Sequence, residues 1–60
     1  MRAKRIEGGY LVTGHLHDRY VVRPDGESYR ITQRANPNPI HPESPLAARI
    51  FGAIVREELT

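Results

Sequence analysis

Hydrophobic and polar positions change period along this chain of 60 residues. Between Gly9 and Arg34 they alternate with the period of two that marks a half-buried strand. Arg19-Tyr20-Val21-Val22 and Ser28-Tyr29-Arg30-Ile31-Thr32 are rich in β-branched and aromatic residues. Between them lies Arg23-Pro24-Asp25-Gly26-Glu27. Pro presets φ for a turn, Asp caps it with its side chain, and Gly takes the left-handed position, so the two runs read as a β-hairpin. A loop of Pro24 to Glu27, closed by Arg23 and Ser28, would set Val22 opposite Tyr29 and Tyr20 opposite Ile31. Those four side chains then share one face, and Arg19, Val21, Arg23, Ser28, Arg30 and Thr32 share the other. A slip of one residue would mix the faces and is penalised wherever one face is buried. Tyr10-Leu11-Val12-Thr13, opened by Gly8-Gly9, supplies an earlier strand with Val12 opposite Tyr20.

The period then shifts to that of a helix. Leu46, Ala47, Ile50, Phe51, Ile54 and Val55 follow the spacing of an amphipathic stripe. Ser44 suits the N-cap and Pro45 the first helical position. Glu57 and Glu58 lie near the C-terminal end, where the helix dipole disfavours them slightly. Between sheet and helix stand Pro37, Pro39, Pro42 and Pro45. That density of proline excludes regular helix or a central strand and predicts an extended, polyproline-like bridge, with Ile40 as its anchor.

These elements predict a single α+β domain of two layers, β-β-β-α: a three-stranded antiparallel sheet with one C-terminal helix across its apolar face. Residues 9–34 form the sheet, 35–44 the proline-rich bridge and 45–59 the helix. Residues 1–8 form either a basic arm or a short added strand, turned at Glu7-Gly8-Gly9.

Composition narrows the setting. The hydrophobic share is 38%, and there is no cysteine. Without cysteine there is no disulfide and no Cys-based zinc site, which points to a reducing, cytoplasmic environment. No apolar run approaches the ~18 residues of a membrane span. Met1-Arg2-Ala3-Lys4-Arg5 is followed by no apolar stretch, so no signal peptide is expected, and the chain reads as a complete small protein. A core this thin gives marginal stability, and such domains gain by association. Ala48, Gly52 and Ala53 form a small-residue flank that would let a second helix approach, so a homodimer is expected.

Charge is uneven. Residues 1–34 carry seven cations (Arg2, Lys4, Arg5, Arg19, Arg23, Arg30, Arg34) against four acids (Glu7, Asp18, Asp25, Glu27), a net of +3. Residues 35–60 carry Arg49 and Arg56 against Glu43, Glu57 and Glu58, a net of −1. The outward sheet face would show Arg19, Arg23 and Arg30 with hydroxyls between them, continued by Arg34 and by Arg2, Lys4 and Arg5. Arginines spaced on a β-surface suit phosphate contacts and base-edge hydrogen bonds, and a β-ribbon fits a major groove.

Other chemistry is sparse. His15 and His17 are two apart with Asp18 beside them, but a metal site needs more ligands and a cavity, so no metal or other cofactor is expected. Ser28 and Ser44 read as turn and cap residues, and no nucleophile elbow or phosphate loop is present. Glu57 and Glu58 point different ways on a helix. No enzyme activity and no small-molecule substrate are expected. The sequence favours a small nucleic-acid-binding regulator using the Arg-bearing face. The alternative is an inhibitor or adaptor of the phage or plasmid kind, binding a larger protein by a sheet edge or by the basic face. Over residues 9–59 the order of three strands, a Pro-Asp-Gly hairpin and one helix resembles the small arm-type DNA-binding domains at the front of phage integrases. That resemblance implies DNA as the partner. The long proline-rich bridge, and the lack of an attached catalytic domain, set this chain apart from them.

Overall fold

A computed structural model describes residues 1–14, 18–33 and 36–59. Five strands form one antiparallel sheet: β1 (Arg2–Ile6), β2 (Gly9–Thr13), β3 (Arg19–Asp25), β4 (Ser28–Gln33) and β5 (Asn36–Ile40). They lie in chain order, and α1 (Pro45–Leu59) follows on one face. The α+β class and the C-terminal helix agree with the sequence pattern, but the sheet has five strands instead of three. Both additions flank the expected three.

Each added strand has a local cause. Glu7 and Gly8 make a two-residue turn, with Ile6 paired to Gly9 and Gly8 at φ +79°. A side chain rarely adopts that φ, and Gly8 does so at little cost. The residues before the turn therefore fold back on β2 as a strand. At the other edge, the proline-rich bridge supplies β5. Pro lacks an N–H and is tolerated on an edge strand, which needs partners on one side only. Ile31 pairs with Ile40 and Gln33 with Asn36, with an irregularity between them.

The central hairpin differs from expectation by two residues. Asp25 pairs with Ser28, so the loop is only Gly26 and Glu27, with Gly26 at φ +66°. Val22 consequently opposes Ile31, and Tyr20 opposes Gln33. A shift of two keeps every side chain on its face, because strand faces alternate with a period of two. Pro24 and Asp25 can extend the strand because they lie past Val22, the last β3 residue paired with β2. Val12 does oppose Tyr20.

The core lies between the sheet and the helix. Val12, Tyr20, Val22 and Ile31 from the sheet are buried with Ala47, Ile50 and Ala53 from the helix. Met1, Ala3, Tyr10, Ile40, Leu46, Phe51 and Ile54 pack around them. Ala53, expected on the free flank, is 3% exposed, whereas Val55, expected in the stripe, is 55% exposed. The helix lies closest to β1 and β2, and a strand at β1 brings Met1 and Ala3 toward Ala53. Small residues at 47 and 53 let the helix sit close on the sheet. Ser44 caps that helix as expected: the Ala47 N–H donates to Ser44 Oγ at 3.2 Å.

Candidate nucleic-acid interface

Strand alternation assigns the outer face, the one the helix does not cover. Arg2, Lys4 and Ile6 stand there on β1, and Leu11 and Thr13 on β2. Arg19, Val21, Arg23 and Asp25 follow on β3, then Ser28, Arg30 and Thr32 on β4. The registers bring them into rows. Arg2 neighbours Thr13, which neighbours Arg19. Lys4 neighbours Leu11, which neighbours Val21, which neighbours Thr32. Arg23 stands directly opposite Arg30.

Five cations on this face, Arg2, Lys4, Arg19, Arg23 and Arg30, are all exposed. Ile6, Leu11, Thr13, Val21 and Thr32 between them are half-buried. Asp25 is the one acid in the five strands. Its Oδ2 accepts from Arg30 Nη2 at 3.3 Å, with both side chains more than half exposed. Such a pair contributes at most about 1 kcal/mol and is weakened by salt. Like charges directly opposed across a ladder destabilise it. The guanidinium groups of Arg23 and Arg30 part: Arg30 reaches Asp25, while Arg23 Nη1 lies 3.6 Å from where a Cβ would stand on Gly8, beside the β1–β2 turn.

Arg5 does not belong to this surface. It opposes Tyr10 and stands on the helix side. There its guanidinium donates to Glu58, the Tyr10 hydroxyl donates to the same Glu58 oxygen, and Arg5 lies 5.9 Å over the Tyr10 ring. The hydrogen bond from Tyr10, then that from Arg5, holds the Glu58 carboxyl below its usual range. The same partners, Glu58 first, raise the Arg5 guanidinium. The dipole cost expected at Glu58 is thus met by a link from the helix end to the sheet. Arg34, His15 and His17 lie outside the described residues. His41 is a turn residue, its Nδ1 accepting from the Glu43 N–H at 3.1 Å and its carbonyl accepting from Ser44 Oγ at 2.7 Å.

Leu11 is the position that sequence reasoning left unassigned. Alternation from Val12 could have found it, because a residue beside a buried one on a strand must face outward. The helix side has its own open region. Tyr10, Val22, Tyr29, Phe51, Ile54, Val55 and Glu58 line a groove of about 270 Å³. The Tyr29 and Phe51 rings meet at 5.9 Å along one wall.

No protein-family model, curated protein or solved structure matches the chain. Among the described residues no helix is long and apolar enough to cross a membrane.

Proposed function

We propose that this is a small non-enzymatic binding protein that holds nucleic acid against the outer face of its sheet. The observation that carries this reading is five exposed cations beside one carboxylate among the strand residues of a face that no described element covers. The opposed positions of Arg23 and Arg30 add to it, since two guanidinium groups rising from one rung of the ladder can each contact a phosphate. Arg5 has no part in it.

Both sheet edges favour a face over an edge as the contact surface. β1 carries Arg2 and Lys4, and β5 carries Pro37 and Pro39, devices that discourage strand addition. The alternative, a protein inhibitor or adaptor, then depends on the basic face meeting an acidic partner.

A mobility-shift titration with mixed DNA and RNA at low salt tests the proposal. Binding should weaken steeply as salt rises, and Arg19→Ala or Arg30→Ala should each reduce affinity. Absence of any shift with either nucleic acid would sink it. Recovery of one stoichiometric protein from the host, with little salt dependence, would favour the inhibitor reading.

Self-association is the second part of the proposal, with its surface redefined. Ala53 is in the core, so the free helix face comprises Ala48, Gly52, Val55 and Leu59, all exposed. Antiparallel pairing about a two-fold axis would set Leu59 against Ala48 and Val55 against Gly52, large against small.

A further inference from the structure

We infer that the flank of α1 beside Met1 is a separate anion site that takes a small organic diphosphate. It lies away from the outer sheet face and does not rest on the nucleic-acid reading.

The helix sequence begins the argument. Arg49 and Arg56 stand on one side of α1, two turns apart. At a rise of about 1.5 Å per residue their Cα atoms are about 10.5 Å apart. Both residues are exposed. The positions one turn from Arg49 are Pro45, Leu46, Gly52 and Ala53, so its own helix offers it no carboxylate. Ion pairs join Arg5 to Glu58 and Arg30 to Asp25, and Arg49 has none among the described residues.

Two clefts of about 400 Å³ each open beside this pair of arginines. The first is lined by Met1, Arg49, Gly52 and Arg56, with no carboxylate among them. The second shares Met1 and Arg56 and adds Arg2 and Glu57, whose charges offset. The first is therefore the one that attracts an anion. Nothing lies within 4 Å of a Cβ placed on Gly52, so the floor between the two arginines is open. The dimer stripe proposed above is centred roughly a quarter-turn round the helix from Arg49 and Arg56, so ligand and second copy approach from different sides.

Size and charge select the ligand. A cleft of about 400 Å³ is within the range of small-molecule sites and exceeds what one inorganic anion fills. Each guanidinium is a planar fork that bonds two oxygens of a phosphoryl group at once. Two forks without a carboxylate suit two linked phosphoryl groups, and the half-buried Met1 gives the organic part an apolar wall.

The test titrates the full isotope-labelled chain with adenosine diphosphate, adenosine and inorganic sulfate at fixed ionic strength, read by amide and arginine side-chain signals. The diphosphate should shift Arg49, Gly52 and Arg56 saturably and leave Arg19 and Arg30 unmoved. It should bind at least about tenfold more tightly than sulfate or adenosine. Arg49→Gln should lower its affinity by about tenfold, and Arg49→Lys, which keeps the charge and loses the fork, by about threefold. Equal binding of adenosine or sulfate, shifts centred on Arg19 and Arg30, or an unchanged affinity in Arg49→Gln would each overturn the site. Arg49→Gln and Arg56→Gln should also leave the salt slope of nucleic-acid binding unchanged. A slope lowered by about one in each variant would make this flank part of the nucleic-acid footprint and overturn a separate site. Diphosphate binding by a chain that shifts no nucleic acid would support this inference and overturn the outer-face reading.

Discussion

Two glycines separate what a residue does locally from what it does for the fold. A Cβ at Gly26 would meet nothing within 4 Å, so its requirement is only the φ of +66°. A Cβ at Gly9 would come within 2.0 Å of the Val22 carbonyl oxygen and 3.3 Å of the Arg23 Cα, both backbone atoms. Gly26→Ala should therefore cost about 1–2 kcal/mol in chemical denaturation, the strain of a left-handed residue. Gly9→Ala must push two strands apart and should cost roughly 1–3 kcal/mol, with disturbed β2–β3 amide signals that Gly26→Ala does not produce. Gly9 was legible in the sequence only as part of a turn, because the atom that requires it comes from another strand. Ionisable side chains give a further prediction at this scale. Burial, with a smaller effect from Asp18, raises the Tyr20 hydroxyl above its ordinary value. The folded state then favours the neutral phenol, and the contribution is complete below the unfolded value near 10 and lost as pH rises through the folded one. Tyr20→Phe should flatten the alkaline fall in melting temperature above about pH 10. At Glu58 the sign is opposite. Its folded value is depressed, so its contribution is present above the unfolded value of about 4.3 and lost as pH falls through the folded one. Glu58→Gln should remove an acid-side loss of stability below about pH 4, a small one because the Arg5 and Glu58 side chains are 69% and 42% exposed.

Among the elements, legibility followed how local the causes were. The helix was readable to its ends because a cap, a proline at the first turn and a 3.6-residue stripe are all written within it. Its outer boundary held while its rotation did not. Ala53 turned inward and Val55 outward because β1, a strand the pattern left open, supplied Met1 and Ala3 to pack against. The faces of the hairpin were readable from alternation, but its register was displaced by two. Alternation is blind to a displacement of two, and the extra pairing depends on how far β2 runs alongside. β5 was read as a bridge because its prolines exclude a central position, and nothing local says whether an extended segment lies against an edge. The outer face inherits this pattern. Arg19, Arg23 and Arg30 were legible as sharing a face, yet the opposition of Arg23 to Arg30 followed only from the true register, and Arg5 was separated from Arg2 and Lys4 once β1 was a strand. The cap is the element-scale prediction. Ser44→Ala removes the acceptor for the Ala47 N–H and the donor to the His41 carbonyl, and should cost about 1 kcal/mol in thermal or denaturant unfolding. Because the helix forms one whole side of the core, its loosening should appear as global unfolding and not as fraying alone.

For the whole molecule the question is what lies outside the helix. Tyr29, Val55 and Leu59 are the large hydrophobics left exposed among the described residues. Two of them, Val55 and Leu59, stand on the same helix face as Ala48 and Gly52. Gly52 bears on this most directly. Nothing lies within 4 Å of a Cβ placed there, so the monomer makes no steric use of a glycine. A glycine in a helix interior costs about 1 kcal/mol relative to alanine. In a monomer, Gly52→Ala should therefore raise stability by about that amount and change nothing else. In the proposed dimer it fills the space that Val55 of the second copy would occupy, so it should weaken association even as it favours the helix. Sedimentation equilibrium across a concentration series distinguishes the two. A dimer that is lost in Gly52→Leu and weakened in Gly52→Ala supports the helix interface, while a mass of 6.8 kDa for the unaltered chain at high concentration ends it. Salt separates this association from nucleic-acid binding. The facing residues Ala48, Gly52, Val55 and Leu59 are uncharged, so screening should leave the dimer little changed, whereas counterion release makes nucleic-acid binding weaken over the same range. A single salt series on the unaltered chain, read once for mass and once for nucleic-acid binding, should therefore show a steady dimer and a steep loss of binding.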